Sequence, residues 1–229
     1  MERAFLSSPS ARPGPGAGRF PAGATLIVGS EYCQNCLPSA DQLARLRRRH
    51  RGKISLATSL LTDAGLARLE ALLRRAVKGR LISELIANDW GLLPFIRRTP
   101  GFSVSAGRLL VEELSRMDPA WARQLCREHR IASAEADNPG LARRIERGLG
   151  LKVSYHVPYR FKAVTTFCPF ERHFRADCAF TCARGGPGRL WNPHVGQGLY
   201  LHEKAYFVKS PPGLPRRGVW RTVRHRLLP

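Results

Sequence analysis

Short apolar runs rich in β-branched residues alternate with amphipathic helical segments along most of the chain. Such alternation predicts an α/β fold in which parallel strands are covered on the outside by helices. About eight strand-like runs are present, which favours a (β/α) TIM-barrel-like ring over an open sheet. A chain of 229 residues suits one large domain better than two small ones.

The first stretch, "SPSARPGPGAGRFPAG" at 8–23, has Pro, Gly and Ala but no apolar period, so residues 1–23 are read as a disordered leader. The barrel-like domain is expected over 24–210. Its strands are "ATLIVG" 24–29, "ISLAT" 54–58, "LISELIA" 81–87, "FSVSA" 102–106, "IASAEA" 131–136, "KVSYHV" 152–157, "AVTTF" 163–167 and "GLYLHEKAYFV" 198–208. Helices are expected after Ser39 and over 62–78, 111–129 and 139–148. The segment 62–78 shows the logic: Thr62 can cap it, and Leu66, Leu69, Leu73 and Val77 recur on one face. Residues 168–197 hold Cys, Pro and Gly where a regular helix would stand, so the last barrel units are expected to be irregular or incomplete. A basic, proline-broken tail over 211–229 completes the division.

The formal charge of +21 invites a nucleic-acid partner, because dense Lys and Arg attract phosphate and release counterions. Arginine, however, outnumbers lysine 32 to 6 amid abundant Ala, Gly and Pro, the skew a GC-rich coding sequence produces. RNA therefore stays an alternative partner rather than the leading one. No apolar run reaches the roughly 20 residues a membrane-spanning helix needs, and the apolar run at the start is short for a signal peptide, so a cytoplasmic location is expected.

In a reducing compartment, clustered thiols point to metal binding or catalysis rather than to structural disulfides. Cys126, alone in "WARQLCREH", reads as a buried apolar residue. The other five fall into two groups. Cys33 and Cys36 follow the first expected strand, while Cys168, Cys178 and Cys182 follow "AVTTF". In a parallel barrel both groups open onto the face at the strands' C-terminal ends, where chemistry gathers. Four thiolates suit zinc or an iron–sulfur cluster. The gap from Cys168 to Cys178 is long for a zinc knuckle and suits a larger object, with Arg172, Arg175 and Arg184 offsetting thiolate charge. Structural zinc, a redox pair at Cys33 and Cys36, and unliganded buried thiols are the alternatives.

Other candidates end the strands on that same face. Asp89 follows the third strand, and Glu135 and Asp137 end the fifth; two carboxylates there could orient substrate or act as acid and base. The plainer readings are that Asp89 caps the helix near Trp90 and that Glu135 forms an ion pair with Arg108. His156, inside the sixth strand, is a candidate of the same kind, with a hydrogen-bonded core group as its structural counterpart. His173 is a loop residue and an alternative ligand. No Ser/His/Asp set is defensible from the sequence, and no HExxH helix occurs.

The series "VGSEYC" 28–33, "NDWG" 88–91, "GRLL" 107–110, "AEADN" 134–138, "HVPY" 156–159, "TTFC" 165–168 and "FRADCAFTC" 174–182 resembles the collagenase-like peptidase family, the thirty-second of those classed "U" for unknown catalytic type. The resemblance implies a barrel-like fold. In the branch with clustered cysteines it implies a [4Fe–4S] cluster held by Cys33, Cys168, Cys178 and Cys182, with Cys36 an extra thiol that could substitute for Cys33. Members of that branch include paired accessory proteins of oxygen-independent ubiquinone biosynthesis, where they serve a hydroxylation, and relatives hydroxylate bases in RNA. The expected function is thus a cluster-dependent hydroxylase component working with a homologous family partner as a heterodimer. A collagenase-like peptidase and a zinc-stabilised RNA-binding module are the alternatives.

Overall fold

The computed structural model describes residues 2–6, 23–174, 177–182, 188–194, 196–210 and 219–225. The strands in chain order begin with β1 (Glu2–Leu6), β2 (Thr25–Gly29), β3 (Ile54–Ala57), β4 (Glu84–Ala87), β5 (Ser103–Ala106), β6 (Ile131–Ala136) and β7 (Lys152–Val157). β8 (Tyr159–Val164), β9 (Gly188–Asn192), β10 (Gln197–His202), β11 (Ala205–Lys209) and β12 (Val219–His225) follow. β2 to β7 pair in sequence order, each parallel to the next. β12 then pairs parallel with β7, and β1 lies between β12 and β2, closing an eight-stranded ring. The result is a barrel-like α/β fold with helices outside.

The helices are α1 (Ala40–Arg49), α2 (Asp63–Lys78), α3 (Leu93–Arg98), α4 (Arg108–Leu114), α5 (Pro119–Glu128) and α6 (Pro139–Arg144). Ser39 and Gln42 close a reciprocal capping box on α1, and Thr62 accepts from the Gly65 amide to cap α2. Leu69, Leu73 and Ala76 are the buried stripe of α2, with Leu66 and Val77 partly covered, which turns Arg68, Arg74 and Arg75 outward. The single helix expected over 111–129 is two, because Asp118 caps a new start and Pro119 opens it. Helix and strand faces meet in one large core that includes Leu26, Leu56, Leu85, Val104 and Ile96. A small apolar layer of Ile27, Ala57, Ile86 and Val223 packs apart from it.

Two expected barrel strands lie elsewhere. Only Ala163 and Val164 of "AVTTF" are in a strand, β8, which with "GLYLHEKAYFV" belongs to a four-stranded antiparallel sheet in the order β8-β11-β10-β9, and the latter run is a hairpin, β10 and β11. Nothing in "LHEKAY" is a glycine, proline or asparagine, so the turn carries no sequence signal. Their places in the ring are taken by β1 and β12, from the stretches expected to be leader and tail. β12 was hidden by its arginines, of which Arg221 is 4% exposed inside the fold. The remainder of the expected leader, 7–22, and of the tail, 211–218 and 226–229, lies outside the described residues. Among the described residues no helix is long and apolar enough to cross a membrane.

Candidate functional site

The antiparallel sheet packs against the loops at the C-terminal ends of the barrel strands, through a cluster of Tyr32, Tyr159, Ala205 and Phe207. Tyr32 stacks on Phe161 at 5.3 Å and meets Phe207 edge-on at 5.2 Å. This contact sets the loop after β8 beside the loop after β2. Cys33, Cys168, Cys178 and Cys182 consequently line one cavity, together with His173 and Glu203. The two thiol groups do converge, although Cys168 is delivered by the accessory sheet and not by a barrel strand.

The loop after β2 is held tightly. Gly29, at φ 93°, has no room for a side chain, since a Cβ there would stand 2.3 Å from the Ala57 carbonyl oxygen. Ser30 Oγ accepts from the amides of Tyr32 and Cys33, each at 2.9 Å, and donates to Glu203 Oε2. The Cys36 amide donates to the Cys33 carbonyl at 3.0 Å, and Gln34 Oε1 accepts from the Thr62 amide at the start of α2. On the other loop, Cys168 and His173 form an isolated antiparallel bridge, and Cys168 Sγ and Cys178 Sγ accept from the amides of Glu171 and Phe180. Arg172 is described; Arg175 and Arg184 lie outside the described residues.

Cys36 does not line the cavity as the other four do, but its thiol hydrogen-bonds Cys182 and Cys33. Those bonds push Cys36 up, and the bond from Cys36 draws Cys33 down to about 6 against the effect of burial. Cys33 is thus favoured as a thiolate and Cys36 as a thiol. Burial pushes Glu203 well above the carboxylate range, and thiolate charge at Cys33 and Cys182 adds to it. Cys126 is buried away from this region, as expected, its thiol pushed up to about 11 by burial. Among the described residues, no three His, Cys, Asp or Glu side chains form a group that could hold a single metal ion.

Next to the cavity the barrel mouth holds a buried ion network. Arg108 donates to Glu31 Oε2 from Nη2 at 2.5 Å and from Nε at 3.1 Å, and to Asp137 Oδ2 from Nη1 at 3.0 Å. Its guanidinium also lies over the rings of Tyr32 and Phe207. Burial is the largest single influence and raises the Glu31 carboxyl, but the Arg108 charge, the His156 charge and the hydrogen bond from Arg108 together bring the net direction down. A second network lies within the barrel. Arg221 Nη2 donates to Glu84 at 2.7 Å and to Glu135 at 3.0 Å, and His156 Nε2 stands 2.8 Å from Glu135 Oε2. His156 Nδ1 is 2.9 Å from His225 Nε2, extending the chain toward the mouth.

These contacts settle the structural roles of the expected catalytic candidates. Asp89 accepts from the Gly91 and Leu61 amides at 2.7 and 2.8 Å, so it caps the turn at Trp90. Glu135 is ion-paired with Arg221, not Arg108; Asp137 is the carboxylate that Arg108 takes, and it also accepts from the Phe161 amide at 2.6 Å. His156 is 1% exposed and fully engaged with Glu135 and His225. Sequence reasoning missed Ser30 and Glu31, which stand inside the quoted "VGSEYC", and Glu203 and Arg221, which carry no motif. Asn88 bridges Thr58 and the Leu109 amide and aligns three loops of the mouth.

Two histidines give the site a pH response. Burial holds His202 at about 4, and burial with the Arg108 charge holds His225, packed against Phe207 and His156, well below its ordinary value. A depressed folded-state pKa means stability fully present above about 6.5 and lost as the pH falls toward the folded value. His202 alone is expected to remove about 2 kcal/mol between pH 7 and pH 5. The raised Glu203 works in the opposite sense, its contribution being lost as pH rises. The difference between wild type and His202→Gln isolates the histidine: urea unfolding at pH 7 and 5 should show the variant losing about 2 kcal/mol less, and equal losses would refute the assignment.

The fold and the site together describe an α/β barrel-like protein with a capped, thiol-lined mouth. Among solved structures, the U32 peptidase Mk0906 has a similar fold, with a TM-score of 0.52 at 12% sequence identity, covering 98% of this chain and 91% of that one. No family model matches the chain, and no curated protein does. The expected peptidase-family fold is therefore supported by structure, at an identity that speaks for the fold alone.

Proposed function

We propose that the chain is an iron–sulfur protein whose [4Fe–4S] cluster is held at the barrel mouth by Cys33, Cys168, Cys178 and Cys182, and that it assists or performs an oxygen-independent hydroxylation. The observation that carries the cluster is that thiols from two loops far apart in sequence line one cavity. The donor set fits: four soft sulfur ligands and one extra thiol, on loops pinned by backbone hydrogen bonds. Such a cluster would supply electron transfer or a Lewis-acidic iron. The chain's own residues shape the mouth: Ser30 presents Cys33, and the edge-on contact of Tyr32 with Phe207 fixes the antiparallel sheet against the loop after β2. A ubiquinone precursor or an RNA base is the proposed substrate and a homologous chain the proposed partner, both resting on the family resemblance alone.

The test is anaerobic purification and reconstitution. A brown protein with about four irons and matching sulfide per chain is expected, and Cys168→Ser, Cys178→Ser and Cys182→Ser should each lose most of it while Cys36→Ser keeps it. A colourless chain that takes up one zinc would overturn the cluster.

The fold likeness to a U32 peptidase favours a second reading, a collagenase-like peptidase, more directly than it favours hydroxylation. That reading predicts hydrolysis of gelatin or peptides that survives each of the same three cysteine replacements. Loss of hydrolysis together with iron would count against it.

A further inference from the structure

We infer that Glu203 is an oxygen donor to the group held in the thiol cavity, addressing the same corner of that group as Cys33. The inference rests on the cluster reading above and adds a ligand to it.

Glu203 stands in the turn between β10 and β11, at a φ of 54° that non-glycine residues rarely adopt, and it is 4% exposed. Its Oε2 accepts a hydrogen bond from the Ser30 hydroxyl, and the carboxyl hydrogen-bonds the Cys36 thiol. Among the described residues its Oε1, fully buried, has no hydrogen-bond partner; His202 Nε2, on a ring that burial keeps neutral, lies 3.8 Å away. A carboxyl group placed only to brace the loop would need one oxygen, and leaving the second buried and unsatisfied is costly. Glu203 is also part of the wall of the cavity formed by Cys33, Cys168, Cys178 and Cys182.

The geometry further ties Glu203 to one thiol in particular. Ser30 Oγ, which donates to Glu203, is the same atom that accepts from the Cys33 amide at 2.9 Å. Glutamate and cysteine thus reach the cavity from a common support, while Cys168, Cys178 and Cys182 arrive from the other loop. A carboxylate is a harder donor than a thiolate, so the corner the two residues share is the exchangeable one.

The experiment uses the full chain in a Cys36→Ser background, which removes the spare thiol, with iron, sulfide and the electron paramagnetic resonance spectrum of the reduced protein measured after anaerobic reconstitution. Cys33→Ala in this background is expected to retain iron with a shifted spectrum, because Glu203 takes the corner. Adding Glu203→Gln should then reduce bound iron by roughly tenfold or more, the scale on which losing a supporting group moves metal affinity. If Cys33→Ala alone already loses the iron, or if adding Glu203→Gln changes neither iron nor spectrum, Glu203 is not a donor. Cys33→Ser, closer in size, repeats the comparison should circular dichroism show the alanine variant unfolded. A parent protein that takes up neither iron nor sulfide overturns the cluster reading and this assignment with it.

Discussion

Replacing Arg108 by methionine is expected to lower the free energy of unfolding by about 3–5 kcal/mol, the cost of breaking a buried ion pair from one side. Arg108 is 3% exposed and is the counter-charge for two carboxylates, Glu31 and Asp137. With the guanidinium gone, Glu31 retains among the described residues a 3.4 Å contact from the residue-108 amide and one from the Tyr32 hydroxyl, too little for a carboxylate with no access to water. Methionine keeps the packing against Tyr32 and Phe207, so the loss reports charge and not a cavity. Urea denaturation at neutral pH is the measurement. Combining the replacement with Glu31→Gln and Asp137→Asn should restore most of the stability, since no charge is then stranded. A single variant within 1 kcal/mol of the parent would show that the network is not buried as described.

The second large effect is expected at Arg221. Arg221→Met strands Glu84 and Glu135, but each has other partners: Ser55 for Glu84, and Ser105 and His156 for Glu135. The loss should therefore fall at the low end of the same range, about 3 kcal/mol. It should also shrink as pH falls from 8 toward 5, because a stranded carboxyl can take up a proton and cease to be a buried charge. A loss of equal size across that range would mean that packing, not charge, is what Arg221 contributes. The result bears on the fold as much as the site, because Arg221 comes from β12 and joins the closing strand to β4 and β6.

That closing strand shows where sequence reading stops. "VWRTVRH" reads as part of a basic tail, because arginine in a proline-flanked segment is normally solvated. Only the partners reveal otherwise, and they stand in strands far away in the sequence. The same holds for Glu135, whose inward direction was legible from its strand but whose partner was not: Arg108 and Arg221 are equally plausible on paper. Asp89 behaves as its position predicts, because capping is a local interaction. The hairpin at 198–208 looks like one strand in the sequence, because a turn through His202, Glu203 and Lys204 carries no turn chemistry.

By itself the sequence determined the strand-helix alternation of the first six repeats, the capping of their helices, and the presence of two thiol groups in loops that follow strands. All of these depend on periodicity and on neighbours within a few residues. The tertiary structure alone decided which strands close the ring, which arginine neutralises which buried carboxylate, and that an antiparallel sheet at the mouth brings Cys168, Cys178, Cys182 and Glu203 to Cys33. Those are contacts between residues distant in sequence, selected by the shape of the packed core, and no local pattern encodes them.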